Sequence, residues 1–346
     1  LYLFAKKSIA LKNQLLLNTR QLTPLNFYDE KSRFEKSKRY NPIFIYEHLD
    51  FTHFEEKIKC LEDELYILKL PPEVKSYLFD YLTDLAIIEK TIQSIGTEEF
   101  PYYAKKMYRT TLENISQVLT NTEKLEINHD ENKAQVYKKV LNDKYNISEI
   151  PIILDDYNDH TIRVGLNRVV IGSQVRRFGQ NVKRLIVHEI ETHALQYYNT
   201  HNAHNPLLKL SKHAESLLFG EGIAVYNEYI TKTLTKEAFD TYYYRLKAVQ
   251  MLSLPFREIY DYLWEYLKPR KAFLITARVK RGMFNTADPG GFPKDASYLL
   301  GFEKIRNYIQ HGSNLNFLYI GKVPYLTSLL LCNNLLEKES IILPHF

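Results

Sequence analysis

Over the first 145 residues the apolar positions fall mostly at helical spacing, and beyond them the period changes. Phe51–Lys69 and Pro72–Ser94 repeat apolar residues every three or four positions, with Pro71-Pro72 as the break between them. Pro101–Leu119 and Glu131–Asn142 predict two further helices, whereas residues 1–40 are charged and weakly patterned and predict an extended arm. Together they make residues 1–145 a helical N-terminal subdomain. Glu149–Leu154, Thr161–Val164 and Val169–Ile171 are β-branched runs, divided by turn signals at Asp155–Asp159 and Gly165-Leu166-Asn167. They predict a small sheet, either a packing platform or an edge able to hold an extended peptide by backbone pairing.

A longer helical run follows from about Gln180 to Tyr198, with Val182, Ile186, Ile190 and Ala194 marking a buried side. After a loop at Pro206 the pattern predicts one helix to about Phe219 and another from Glu221 to about Lys232. Glu237–Leu252 and Phe256–Leu267 follow, with Pro255 between them, and Asp288-Pro289-Gly290-Gly291 is a turn. The fold class is therefore α+β, predominantly helical, with residues 146–346 as the second domain and candidate catalytic core.

Composition narrows the function classes. A hydrophobic content of 45% and a charged content of 25% over 346 residues suit a globular enzyme. The net charge of +5 is compatible with acidic peptides and far weaker than a dedicated nucleic-acid binder shows, and Lys and Arg are dispersed. No apolar run approaches the roughly 18 residues of a membrane span. Leu1-Tyr2-Leu3-Phe4-Ala5 is too short for a signal-peptide core and lacks a basic lead-in; without an initiator Met the chain reads as a trimmed fragment. Cys60 and Cys332 form no metal or disulfide pattern and are expected as buried thiols in a reducing, cytoplasmic setting.

The chemistry concentrates in His188-Glu189-Ile190-Glu191-Thr192-His193. Two imidazoles and an adjacent carboxylate are what a catalytic zinc site needs: neutral nitrogens as ligands, and a base to take a proton from water. The histidines, however, are five residues apart, not four as in the H-E-x-x-H motif. At about 100° per residue, a gap of five turns the second ring by about 140°. The pattern is thus either fortuitous or a metal-site helix widened by a π-bulge. Catalytic zinc usually keeps three protein ligands. Glu221, 28 residues after His193, is the best third candidate, and Glu228, seven further on, could orient a ligand. The rival third donors are His201 and His204.

His188–His193, Glu221-Gly222-Ile223-Ala224, Ala277–Gly282 with its R-x-x-R-G pattern, Pro289–Asp295 with Tyr298–Gly301, Gly321-Lys322-Val323 and, upstream, Asn41–Tyr46 follow one another in register. Together these segments resemble the microtubule-associated tyrosine carboxypeptidase family. The resemblance spans about residues 41–325. It implies a zincin-like metallopeptidase core with one zinc per chain, held by His188, His193 and Glu221, with Glu189 as general base. The implied activity removes a C-terminal residue, tyrosine in the best-known members, from a protein or peptide with a free C-terminus, acidic-tailed ones included. The chain departs from the family pattern at Gly220, where Glu or Gln is common, and at Glu191, where Gly is common.

Tyr298 is a candidate donor to the oxyanion of the tetrahedral intermediate, set against a plain packing role. A carboxypeptidase must also grip a terminal carboxylate, for which Arg281 is the first candidate and Lys294 the second. Both could equally be solvated surface cations. Two other function classes stay open: a zinc endopeptidase without a carboxylate pocket, and a non-catalytic metal-containing binding protein.

Overall fold

The computed structural model of the chain describes residues 1–15, 21–49, 51–108, 133–155, 162–165, 168–172, 180–320, 324–335 and 341–346. Among them helices dominate and one small sheet is present, in line with a predominantly helical α+β class. The chain forms two compact units, each assembled from separated stretches. The first comprises Leu1–Asn114, Lys212–Ala214 and Thr241–Ala296; the second comprises Ile115–Ser211, Glu215–Asp240 and Ser297–Phe346.

The first unit is helical. Residues 1–40, expected as an extended arm, instead contain the helices Tyr2–Gln14 and Phe27–Lys36. Each buries only a narrow stripe, Phe4, Ala5, Ser8 and Leu11 in one and Glu30 with Phe34 in the other, which leaves little periodic signal. Phe54–Ile67 and Pro72–Gln93 form as expected and pack together. Pro72 sits in the first turn, where its missing N–H has no helical partner to lose. Phe100–Tyr108 covers the start of the expected Pro101–Leu119 helix, and the remainder from residue 109 lies outside the described residues. Cys60 and Cys332 are both exposed, not buried as expected. Cys60 lies on the outer face of a helix whose inward positions are Phe54, Ile58, Leu61 and Leu65.

Two of the family-like segments meet in this unit. The Phe44 N–H donates to the Phe284 carbonyl at 2.8 Å, Ile43 bridges Asn285, and the Gly282 N–H donates to the Tyr46 hydroxyl at 2.8 Å. Gly282 has a φ of 86°, and a Cβ there would fall 2.1 Å from the Phe100 ring. Only glycine fits that step.

In the second unit the sheet runs in the order β1 (Ile152–Asp155), β3 (Arg168–Gly172), β2 (Ile162–Gly165), with β3 parallel to β1 and antiparallel to β2. The turn signals around them fall mostly outside the described residues, as does Gly321-Lys322-Val323. Val169 and Ile171 point inward from β3 and join Leu141, Ile190, Ala194, Ile223 and Ile305 in one core. The expected Gln180–Tyr198 helix runs to Asn202 in three joined pieces: α-helical Gln180–Leu185, π-helical Ile186–Ala194 and α-helical Leu195–Asn202. His213–Ile230 is one helix where two were expected.

Gly222 does not break that helix because it serves a crossing. A Cβ at Gly222 would lie 2.4 Å from the Gly301 carbonyl carbon, and one at Gly301 would lie 2.1 Å from the Leu218 oxygen. The helices His213–Ile230 and Ser297–Gln310 thus touch backbone to backbone. Among the described residues no helix is long and apolar enough to cross a membrane.

This crossing predicts a stability effect. Overpacking usually costs about 1–3 kcal/mol, and backbone obstacles yield less than side chains do. Gly301→Ala should therefore lose about 3 kcal/mol in urea unfolding. Unchanged stability would show that the helices separate freely.

Candidate metal centre

The π-helical stretch Ile186–Ala194 solves the spacing problem of the two histidines. Its closing bond runs from the Leu195 N–H to the Ile190 carbonyl, five residues back, so each turn holds one residue more than an α-turn. The imidazoles of His188 and His193 consequently come to 5.0 Å between ring centroids. Glu221 reaches them from the His213–Ile230 helix. Its Oε2 stands 3.5 Å from His188 Nε2 and 3.6 Å from His193 Nε2. The three donor atoms all lie within 4.8 Å of one another, which makes the group one that could hold a metal ion. Two imidazole nitrogens and a carboxylate oxygen are a donor set that zinc accepts.

Glu228 takes the orienting position expected of it. Its Oε1 is 2.6 Å from His188 Nδ1, and Arg184 Nη1 donates to the same oxygen at 2.8 Å. With Nδ1 engaged by this carboxylate, Nε2 is the ring nitrogen turned towards Glu221. Sequence reasoning missed Arg184, although it stands four residues before His188 and a single helical turn would have suggested it.

The local electrostatics favour positive charge. Burial disfavours a charged His188, but its bonds to Glu221 and Glu228 outweigh that and raise it to about 10. Burial also raises the Glu189 carboxyl, against the pull of His188 and His193. A carboxylate with raised proton affinity beside such a donor set can accept a proton and return it.

The two departures from the family pattern leave the donors alone. Glu191 is buried, and its carboxylate pairs with the Lys144 ammonium and accepts from the Tyr145 hydroxyl at 2.8 Å. It is thereby engaged with the Val140–Lys144 turn and its neighbour. At Gly220 a Cβ would meet nothing nearer than Gln196 Oε1 at 3.9 Å, so the position has room for a larger residue.

Tyr298 stacks near His188, with ring centroids 6.4 Å apart and planes inclined by 28°. His201 is exposed and stacks on Tyr197, and neither it nor His204 belongs to the donor cluster. Arg281 and Lys294 belong to the first unit. Arg281 is buried with its guanidinium 4.6 Å from the Phe292 ring centroid, so it is not a solvated surface cation. Lys294 lies half-buried in the short helix Pro293–Ala296. Beside it Asp295 accepts two 2.7 Å bonds from Arg278, with Arg245 Nε at 3.7 Å.

Fold and cluster together define a helical protein with a His/His/Glu metal-type centre on a π-helical segment. A family model described as microtubule-associated tyrosine carboxypeptidase matches residues 32–346, and the chain belongs to that family. It is a family of carboxypeptidases, whose substrates are polypeptides. No curated protein matches the chain at a significant level.

Asp295 yields a pH prediction. Burial alone would raise its carboxyl, but Arg278 and Arg245 hold it far below the ordinary carboxylate range. A folded pKa below the unfolded value of about 3.9 gives stability that is complete above that pH and lost as pH falls below it. Asp295→Asn should cost about 3–5 kcal/mol at pH 7 and much less near pH 2, read by denaturant unfolding. Equal losses at both pH values would show that charge is not what the site contributes.

Proposed function

We propose that this chain is a zinc-dependent metallocarboxypeptidase with a zincin-like core, hydrolysing the last peptide bond of a protein or peptide and releasing a C-terminal residue, tyrosine first among candidates. One observation carries the reading: the donor atoms of His188, His193 and Glu221 converge within 4.8 Å, and an intact glutamate follows the first of them in sequence. His188 Nε2, His193 Nε2 and a Glu221 oxygen are the atoms that would hold the ion. The chemistry zinc supplies in such a set is Lewis acidity, which polarises a carbonyl and brings the pKa of water towards ~7.

The chain's own groups do the rest. Glu189, its proton affinity raised by burial, takes the proton of the attacking water and delivers it to the leaving amine. Glu228 holds the His188 ring in one tautomer and orientation. The Tyr298 hydroxyl donates to the oxyanion, a role supported by the stack of its ring on His188. Arg281 binds the terminal carboxylate and Lys294 adds to the same charge. Their support is the family-like Arg-Gly step and the match of a planar guanidinium to a carboxylate. A cytoplasmic site of action is part of the same proposal and rests on two free cysteines.

Two outcomes check this reading. Glu189→Gln should keep the metal while turnover falls by about 10²–10⁴-fold, measured by metal analysis alongside peptide cleavage; native turnover would remove Glu189 as the base. Peptides with a free C-terminal carboxylate should be cut while amidated ones are spared, and Arg281→Ala should raise KM for the former. Equal cleavage of both peptides, with no effect of Arg281→Ala or Lys294→Ala, would make the chain an endopeptidase.

A further inference from the structure

A π-helical segment is a rare and poorly bonded form of helix, so its surroundings must hold it open. Beneath Ile186–Ala194 lies a chain of hydrogen bonds that the chemistry above does not use. Thr192 Oγ1 donates to the Val187 carbonyl at 2.8 Å, five residues back and so matched to the widened turn. The Asn227 amide nitrogen donates to Thr192 Oγ1 at 2.8 Å and to the Tyr319 hydroxyl at 2.7 Å. Tyr319 in turn donates to the Glu191 carbonyl at 3.3 Å. Thr192, Asn227 and Tyr319 are all buried, at 0%, 2% and 2% exposure.

The directions of these bonds are fully determined. Asn227 supplies both amide hydrogens, so each hydroxyl accepts from it and spends its own hydrogen on a main-chain carbonyl. Those carbonyls belong to Val187, immediately before His188, and to Glu191, two residues before His193. Asn227 is also carried by the helix that presents Glu221 and Glu228. One side chain thus links the backbone at both histidines to the helix bearing the third donor.

We infer that Asn227, through Thr192 and Tyr319, is a positioning residue that sets the π-helical register and with it the separation of His188 and His193, hence metal affinity and coordination geometry. The inference rests on the metal-site reading above. Asn227→Asp is the sharpest probe, because the isosteric carboxylate only accepts. Thr192 and Tyr319 would have to turn their hydrogens towards it and abandon the Val187 and Glu191 carbonyls. Loss of partners behind metal ligands typically weakens metal binding about 10–100-fold.

The test measures Zn²⁺ affinity by chelator competition, the visible spectrum of the Co²⁺ form, and the Tm of the metal-free protein. Asn227→Asp and Thr192→Val should each lose about 10–100-fold in affinity and alter the Co²⁺ spectrum, with kcat falling more than KM rises. Thr192→Ser, which keeps the hydroxyl, should restore both readouts. Should Asn227→Asp fail to fold, Tyr319→Phe removes the bonds to Glu191 and Asn227 but keeps the Asn227–Thr192–Val187 branch, and should give a smaller shift of the same kind. Native affinity and spectrum in Asn227→Asp, or a Thr192→Ser protein as impaired as Thr192→Val, would overturn the inference. Wild-type protein that binds neither Zn²⁺ nor Co²⁺ would overturn the metal-site reading itself.

Discussion

Two imidazoles five residues apart on one helix can face a common point only where the helix carries an extra residue in its turn. With α-helical geometry the second ring of His188 and His193 would point about 140° away from the first. The π-helical stretch Ile186–Ala194 removes that divergence, and everything else at the centre is arranged about it. Its apolar side, Ile190 and Ala194, is fixed in the core with Val169, Ile171 and Ile223. Its polar side at Glu191 is tied to Lys144 and Tyr145. A strained segment persists where neighbours over-determine it, and here apolar packing and ionic pairing act on the same nine residues.

The third donor depends on a different constraint, the distance between two helix backbones. Gly222 and Gly301 let His213–Ile230 lie directly against Ser297–Gln310, so the residue next to Gly222, Glu221, is located by main-chain contact. Glu228 follows seven residues later, about two turns on and within about 20° of the same face. One helix therefore delivers both the third donor and the carboxylate that orients His188. The crossing helix also carries Tyr298 to the His188 ring. Two glycines thus fix the third donor, the orienting carboxylate and the neighbouring phenol together.

The parts that could be read in the sequence are those with a local signature. For both rings to meet one ion the spacing His188 to His193 needs a bulge, Glu221 offers a third ligand type at a distance that permits return, and Glu228 falls on the same helical face; the structure brings these side chains together. The helices Phe54–Ile67 and Pro72–Gln93 have broad apolar stripes and a proline break, so they too are legible. Tyr2–Gln14 is not, because apolar Tyr2 and Leu3 stay exposed and blur its stripe, nor is Phe27–Lys36, in which only Glu30 and Phe34 are buried. The single helix His213–Ile230 hides behind two glycines that usually mark breaks, and the crossing at Gly301 explains Gly222. Asn227 and Tyr319 are 92 residues apart, and no local pattern announces that they share a hydrogen bond. The make-up of each unit from separated stretches is illegible for the same reason: it depends on contacts between residues far apart in the chain, whereas a linear reading sees only a change of period near residue 145.

The distribution of charge gives the centre its chemical character. Four glutamates, Glu189, Glu191, Glu221 and Glu228, lie on or against one stretch of helix with two histidines, a density of negative charge that would oppose folding if it were left unassigned. Arg184 binds Glu228 and Lys144 binds Glu191, so two of the four are matched to cations. Glu221, Glu228 and Glu189 all bear on the imidazoles, Glu228 through its bond to His188 Nδ1. A dication among those nitrogens would offset part of this negative charge, and burial raises the proton affinity of Glu189 beside it. The replacement of a small family residue by Glu191 fits this scheme. It adds a fourth carboxylate, which Lys144 and Tyr145 engage, while His188, His193 and Glu221 form the cluster that could hold a metal.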